Sequence, residues 1–295
     1  FQICSSTLIY ITSSRAAESM PNILRSSWKR KVKALTELEY LESTFFKVLG
    51  DLKEYLDDLT LVGGWLSYVY AKYVWGNLAI KPVTTTDIDF GLGAGETRVY
   101  PRTIFELLSS LDYKERHPQM DRMYPVVLYK EGKVRLDFIA PPTIEKSIID
   151  KIVGSQIDIN RIEKFDFLLK HRILVDIKNK KEVYTVHCPK PSAFLYHKAS
   201  IFINREDEQK QAKDLHYIYF ILRYAPDADT IFKEITQYYK QGYLKDIPKN
   251  LTSYFDRKTS KGCLMIEKEN GADPYIDDLR QDIFDRFKKL QAAAV

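Results

Sequence analysis

The chain is poor in cysteine. The three it has, Cys4, Cys188 and Cys263, are widely spaced and form no Cys-x-x-Cys pair. An odd, scattered set argues against a disulfide framework or a structural zinc site, and it makes a reducing cytoplasm the expected setting. No apolar run approaches the ~20 residues that cross a bilayer, so no membrane span is expected. Residues 1–12 are moderately apolar, but no basic leader precedes them and no small-residue cleavage site follows, so no signal peptide is expected. Met20 follows a Ser/Ala-rich stretch and is the expected natural start. A large excess of one sign of charge is also lacking. Lys and Arg number 45 against 40 Asp and Glu, a net +5 that permits a polyanionic partner without demanding one. The five histidines, His117, His171, His187, His197 and His216, show no metal-ligand spacing and receive no role.

What is present is a globular composition, 45% hydrophobic and 29% charged over 295 residues, enough for two lobes. Leu35, Leu38, Leu41, Phe45, Leu49, Leu52 and Leu56 recur at three- and four-residue steps, predicting an amphipathic helix that ends near Asp57 and Asp58. A short strand over 60–62, a tight turn at Gly63-Gly64 and a helix over 65–75 follow. The next elements are a strand over 87–92, a glycine-rich turn at Gly91, Gly93 and Gly95, and a helix over 101–111. Strands over 124–129 and 133–140 flank a hairpin turn at Glu131-Gly132, and Pro141-Pro142 stops the second. Segments 165–169, 173–177 and 183–187 are expected to extend the sheet. From Pro191 the pattern turns helical, over 192–203, 206–223, 227–241 and 275–290. The expected class is α+β, an N-terminal α/β lobe with a mixed sheet followed by a C-terminal helical lobe. The expected domains are an N-terminal extension over 1–33, a catalytic domain over 34–190 and a helical domain over 191–295.

The chemistry concentrates in Thr84-Thr85-Thr86-Asp87-Ile88-Asp89-Phe90. In a strand, alternate side chains share a face, so Asp87 and Asp89 lie together roughly 6.5 Å apart while Ile88 and Phe90 enter the core. Adjacent carboxylates raise each other's pKa unless a cation stands between them, and a hard divalent ion such as Mg2+ takes oxygen ligands. In Val134-Arg135-Leu136-Asp137-Phe138-Ile139, Asp137 again faces away from the apolar set. Were the two strands neighbours, about 4.8 Å apart, all three acids would come within reach of two divalent ions. Such a pair can activate a hydroxyl and neutralise a triphosphate during in-line displacement. Gly63-Gly64 allows backbone N–H groups to approach phosphate oxygens. Each signal is weak alone; their order along the chain gives them weight.

Gly63, Gly64, Asp87, Asp89 and Asp137, in that order over about residues 60–140, resemble the DNA polymerase β-like nucleotidyltransferase superfamily, which includes poly(A) polymerases and antibiotic nucleotidyltransferases. The resemblance implies transfer of a nucleoside monophosphate from an NTP with release of pyrophosphate. It also implies that Asp87 and Asp89 bind Mg2+, that Asp137 completes the metal site and helps activate the acceptor hydroxyl, and that the glycine turn meets the triphosphate. The Gly-Gly-Trp form is similar to aminoglycoside nucleotidyltransferases and to AbiEii- or MenT-type toxins. Where many members carry Gly-Ser, Ser67 is expected to supply the hydroxyl. Thr85 fits a pattern of both groups, but Val83 stands in the place of an Arg, so Lys81 or Lys72 would supply that charge.

Pro191, Lys198, Arg205 and Lys213-Asp214 resemble the segment that follows the catalytic lobe in the AbiEii group. By that resemblance Lys198 meets the triphosphate and Asp214 orients it, with Tyr217 where a second Asp is usual; a surface lysine and a structural ion pair is the competing reading. The implied function is a toxin-like enzyme acting on RNA, such as a tRNA 3′ end, or on a protein hydroxyl, with an antitoxin as partner. An aminoglycoside-like small-molecule acceptor and a catalytically silent nucleotide-binding module are the rivals. A basic cleft would favour RNA and an acidic one a polycationic drug. The aromatic-basic stretches 25–31 and 238–245 suit phosphate contact and base stacking, though a solvated helix face explains each more simply.

Overall fold

The computed structural model describes residues 22–80, 85–93, 98–116, 127–130, 133–270 and 278–294, with backbone only at 22–36, 127 and 270. The chain divides into two compact units, Phe1–Lys47 and Val48–Val295. The first unit holds most of helix α1 (Asn22–Asp51), which starts well before the predicted periodic stretch, so the basic segment 25–31 is helical in backbone. Within it the Thr44 hydroxyl donates to the Tyr40 carbonyl at 3.0 Å. The predicted end near Asp57 is replaced by an earlier stop at Asp51 and a 3-10 turn at Lys53–Tyr55.

The second unit carries the sheet and every later helix. In chain order it runs β1 (Leu59–Val62), α2 (Trp65–Val69), a π-helical turn (Tyr70–Val74), β2 (Asp87–Leu92), α3 (Ile104–Ser109), β3 (Tyr113–Arg116), β4 (Val127–Lys130) and β5 (Val134–Ala140). There follow α4 (Lys146–Ile152), β6 (Ile159–Arg161), α5 (Phe165–Lys170), β7 (Arg172–Lys178), β8 (Val183–Pro189) and α6 (Pro191–Ile201). The last five helices are α7 (Glu208–Tyr224), α8 (Ala228–Lys240), α9 (Ile247–Tyr254), α10 (Lys261–Asn270) and α11 (Leu279–Ala293). The class is α+β, and the border expected at 190/191 falls inside this unit.

The sheet order is β3-β4-β5-β2-β1-β8-β7, with β6 beside β5. It is mixed: β2 runs parallel to β5 and antiparallel to β1, and β1 runs parallel to β8. β4 pairs with the first half of β5 and β6 with the second, so both occupy one edge of that strand. On the core face Ile88, Phe90, Leu136 and Phe138 are at most 2% exposed, and the Phe90 and Phe138 rings stack at 6.2 Å. Burying each such side chain contributes about 1.5–3 kcal/mol, which locks the register and sends the intervening residues to the opposite face.

Segment 165–169, expected as a strand, is helix α5. Lys164 enters it in the left-handed region at φ 61°, and Phe165, Phe167 and Leu168 are buried on one side. Five residues, four of them apolar, are too short a run for periodicity to separate strand from buried helix. The hairpin turn at 131–132, Lys81, Val83 and Gly95 lie outside the described residues. Three helix starts in the C-terminal part are capped by aspartates: Asp207 accepts from the Gln209 and Lys210 N–H groups, Asp227 from Thr230 and Asp278 from Gln281. Among the described residues no helix is long and apolar enough to cross a membrane.

Candidate active site

The register of β2 and β5 builds the site. Asp89 and Asp137 are direct partners across the parallel pair, and Asp87 faces Arg135. Across the antiparallel pair Val62 is the partner of Asp89, so Gly63 follows immediately beside that acid. Gly63 has φ +72°, and any Cβ there would overlap the Asp89 carboxylate. The glycine is therefore required twice, by its left-handed backbone and by the acid packed on it. Thr85 anchors the approach to β2 because its hydroxyl oxygen accepts the Asp87 N–H at 3.2 Å.

Arg135 lies two residues before Asp137 and donates to its Oδ1 from Nε at 2.9 Å and from the terminal nitrogen at 2.7 Å. Burial raises the Asp137 pKa while Arg135 opposes it and Asp87 adds to it. Burial first, then Asp137 and Asp87, push Asp89 up to about 7, against the pull of Lys198 and Arg135. Crowded, desolvated carboxylates of this kind take a hard cation readily, so the donor chemistry fits a divalent ion such as Mg2+. Among the described residues no three His, Cys, Asp or Glu side chains converge as a ready metal cage. Asp87 and Asp89 offer the oxygen donors that such an ion takes, while Asp137 is engaged by Arg135.

These acids open into a cleft of about 470 Å³ whose far wall is helical. α6 contributes Phe194, His197, Lys198 and Ile201, and α7 contributes Lys210, Lys213, Asp214 and Tyr217. Asp214, 4% exposed, accepts from Lys198 Nζ at 2.5 Å and from Arg205 Nε at 2.8 Å. Burial works to raise its pKa, yet the two cations outweigh burial and hold the carboxyl below the usual range. Apart from the three acids of the sheet and this neutralised aspartate, the charged side chains lining the cleft are Arg135, Arg161, Lys198, Arg205, Lys210 and Lys213. Arg161 is directed to the backbone, donating to the carbonyls of Pro141 and Ile144 at 2.9 and 2.8 Å. Lys210 and Lys213 form no ion pair among the described residues.

Of the residues singled out by sequence, Gly63, Gly64, Thr85, Asp87, Asp89, Asp137, Lys198 and Asp214 line this one cleft. Ser67 and Lys72 do not. The Ser67 hydroxyl is 2% exposed and donates to the Gly64 carbonyl at 3.0 Å, and Lys72 Nζ donates to the Tyr68 hydroxyl at 2.7 Å. Arg135 is a cleft residue beyond those expected from sequence, and its period-two alternation with Asp137 is the signal that marks it. His197 and the α5 residues Phe165 and Leu168 carried no signal, because their place on the wall depends on how helices pack over the sheet. Cys188 and Cys263 are free thiols buried away from the site.

A family model described as nucleotidyltransferase matches residues 44–239, about two thirds of the chain, and this span contains both the acid strands and the helical wall. No curated protein and no solved structure matches the chain.

Proposed function

The chain belongs to the nucleotidyltransferase family, and from that premise we propose that it moves a nucleoside monophosphate from an NTP to a hydroxyl of RNA, using Asp87, Asp89 and Asp137. One observation carries the reading: the direct opposition of Asp89 and Asp137 on parallel strands, with Asp87 on the same face and the Gly63 turn packed against Asp89. In the reaction an acceptor oxygen bonds to the α-phosphorus, the bond from that phosphorus to the β-bridging oxygen breaks, and pyrophosphate leaves with the electron pair. Asp137 takes the proton of the acceptor hydroxyl, and Arg135 holds its carboxylate oriented and ionised for that role. Asp87 and Asp89 would hold a divalent cation such as Mg2+, whose contribution when bound is to neutralise the triphosphate and acidify the acceptor hydroxyl. Lys198 and Arg205, kept in place by Asp214, present positive charge to the phosphates.

RNA is favoured over a polycationic small molecule by the cations of the wall. Lys210 and Lys213 lie one turn apart on α7 and line the cleft without acidic partners among the described residues. They suit a second polyanion and would repel an aminoglycoside. Incubating the protein with each α-labelled NTP, Mg2+ and either total RNA or a panel of aminoglycosides tests both parts. Label should enter RNA and be lost in Asp87→Ala and Asp89→Ala. Transfer that survives both substitutions rejects the site, and label in the drugs alone rejects the acceptor.

A further inference from the structure

Tyr217 projects from α7 to the glycine turn on the opposite side of the cleft. A Cβ built on Gly64 would lie 2.6 Å from the Tyr217 hydroxyl and 2.6 Å from Thr85 Cγ2. The phenol oxygen and the threonine thus close over the bare backbone of Gly64 from two directions. The Tyr217 ring is 4% exposed, set against Phe194 at 6.0 Å between centroids, with Lys198 Nζ 5.7 Å from its own centroid. Tyr217 lines the cleft, and among the described residues its hydroxyl makes no hydrogen bond. The hydroxyl is not sealed in the protein but opens to the cleft, where a bound group can reach it.

Three features meet at this point: a backbone stripped of side chain, a hydroxyl held rigidly by its ring, and the buried ammonium of Lys198. A rigid O–H donor beside a cation suits an anionic oxygen, and the absence of a side chain on Gly64 is what lets the hydroxyl reach the turn. We infer that the Tyr217 hydroxyl donates a hydrogen bond to a phosphate oxygen of the nucleotide seated on the Gly63-Gly64 turn, making Tyr217 a triphosphate-binding residue. This rests on the reading of the cleft as an NTP site and adds to it the group that grips the phosphate over Gly64. The ring remains fixed by Phe194 without the hydroxyl, so the oxygen alone can be removed.

The test is Tyr217→Phe, with binding of NTPs and of inorganic tripolyphosphate measured by calorimetry beside thermal melting of both proteins. Tripolyphosphate isolates the phosphate contact from anything made with the base. Loss of one hydrogen bond to a charged oxygen should weaken both ligands by about 10- to 100-fold, to the same extent, while the melting temperature of the free protein holds or rises. Equal tripolyphosphate affinity in the two proteins overturns the assignment and leaves the nucleotide site standing. An altered pH profile with unchanged tripolyphosphate binding also overturns it, by directing the hydroxyl to Asp89 instead. Should the wild type bind neither NTP nor tripolyphosphate, the nucleotide reading itself falls, and this inference with it.

Discussion

Acid should destabilise this protein through one identifiable ring. His197 on α6 is 3% exposed, and neither of its nitrogens has a hydrogen-bond partner among the described residues. Its ring stands edge-on to Phe165 at 6.4 Å. Burial first, then the nearby Lys198, press its pKa down to about 3; Arg205 and Lys164 act in the same direction and Asp214 opposes them. An unfolded histidine titrates near 6.5. Because the folded value is the lower one, the unfolded chain binds the extra proton, so this contribution is complete above about pH 6.5 and drains away as pH falls toward 3. Inside that window each pH unit is worth ~1.4 kcal/mol, and lowering the pH from 7 to 5 removes about 2 kcal/mol through His197 alone. That is a large part of the ~5–15 kcal/mol that keeps a domain folded. Asp89 works in the opposite sense, since its raised pKa lets the folded state gain a proton below about pH 7. The difference between two proteins therefore carries the number, not either total. Urea unfolding of the wild type and of His197→Phe at pH 7, 6 and 5 provides it, phenylalanine keeping the ring and removing the proton. The wild type should lose about 2 kcal/mol more than the variant across the interval. Parallel pH dependences would refute the argument by showing that the imidazole finds a proton partner in the folded state.

Gly63→Ala should cost at least the ~1–2 kcal/mol of a left-handed alanine, read in urea unfolding, and should abolish transfer because the new methyl displaces Asp89; full activity would remove the glycine turn from the site. Asp214→Ala leaves two cations beside a buried void and should destabilise by about 3–5 kcal/mol, and a change under 1 kcal/mol would show that water already serves Lys198 and Arg205. Lys210→Ala and Lys213→Ala should each lower the salt dependence of single-stranded RNA binding by roughly 0.7 in the log–log slope, and an unchanged slope places the RNA elsewhere. Asp89→Asn should end transfer yet raise stability at pH 7 by up to about 4 kcal/mol, the cost of ionising an acid whose pKa moves from 3.8 to about 7; lower stability would mean that the amide cannot replace the acid in its packing.

The strand over 87–92 was legible to the residue, because Ile88 and Phe90 alternate with two acids and no helix could bury the first pair while exposing the second. β5 was legible for the same reason. What alternation cannot supply is a partner. That β5 lies next to β2, across more than forty intervening residues, came from the topology, with β1 on the other side of β2. Short elements fared worse. β3 and β6, of four and three residues, carry too few side chains for a period, and α5 was mistaken for a strand because its apolar run covers barely more than one helical turn. Helices α9 and α10 went unread among residues whose polar faces hide their spacing.

The same contrast runs through the site. The three acids stood out because each breaks an otherwise apolar strand, and a fold tolerates such a break only where something compensates for it. Here the compensation is divided. Arg135 and Asp137 satisfy each other, two residues apart on one strand, so the pair is local and was readable in principle. Asp89 has no such neighbour on its own strand and retains a raised pKa in the folded chain. Its opposing charges, Lys198 and Arg135, come from a helix more than a hundred residues later and from the adjacent strand. Sequence could reveal where charge was concentrated on β2 and β5 but not which distant cation would face it. Ser67 makes the complementary case. One helical turn after Gly64 its hydroxyl meets the Gly64 carbonyl, a local bond that a backbone always offers, while the hydroxyl that reaches the turn from outside belongs to Tyr217, 153 residues after Gly64. Local competition for the nearer group and tertiary supply of the farther one make the phosphate end of the cleft a property of the packed fold, whereas the acidic end is a property of two strands.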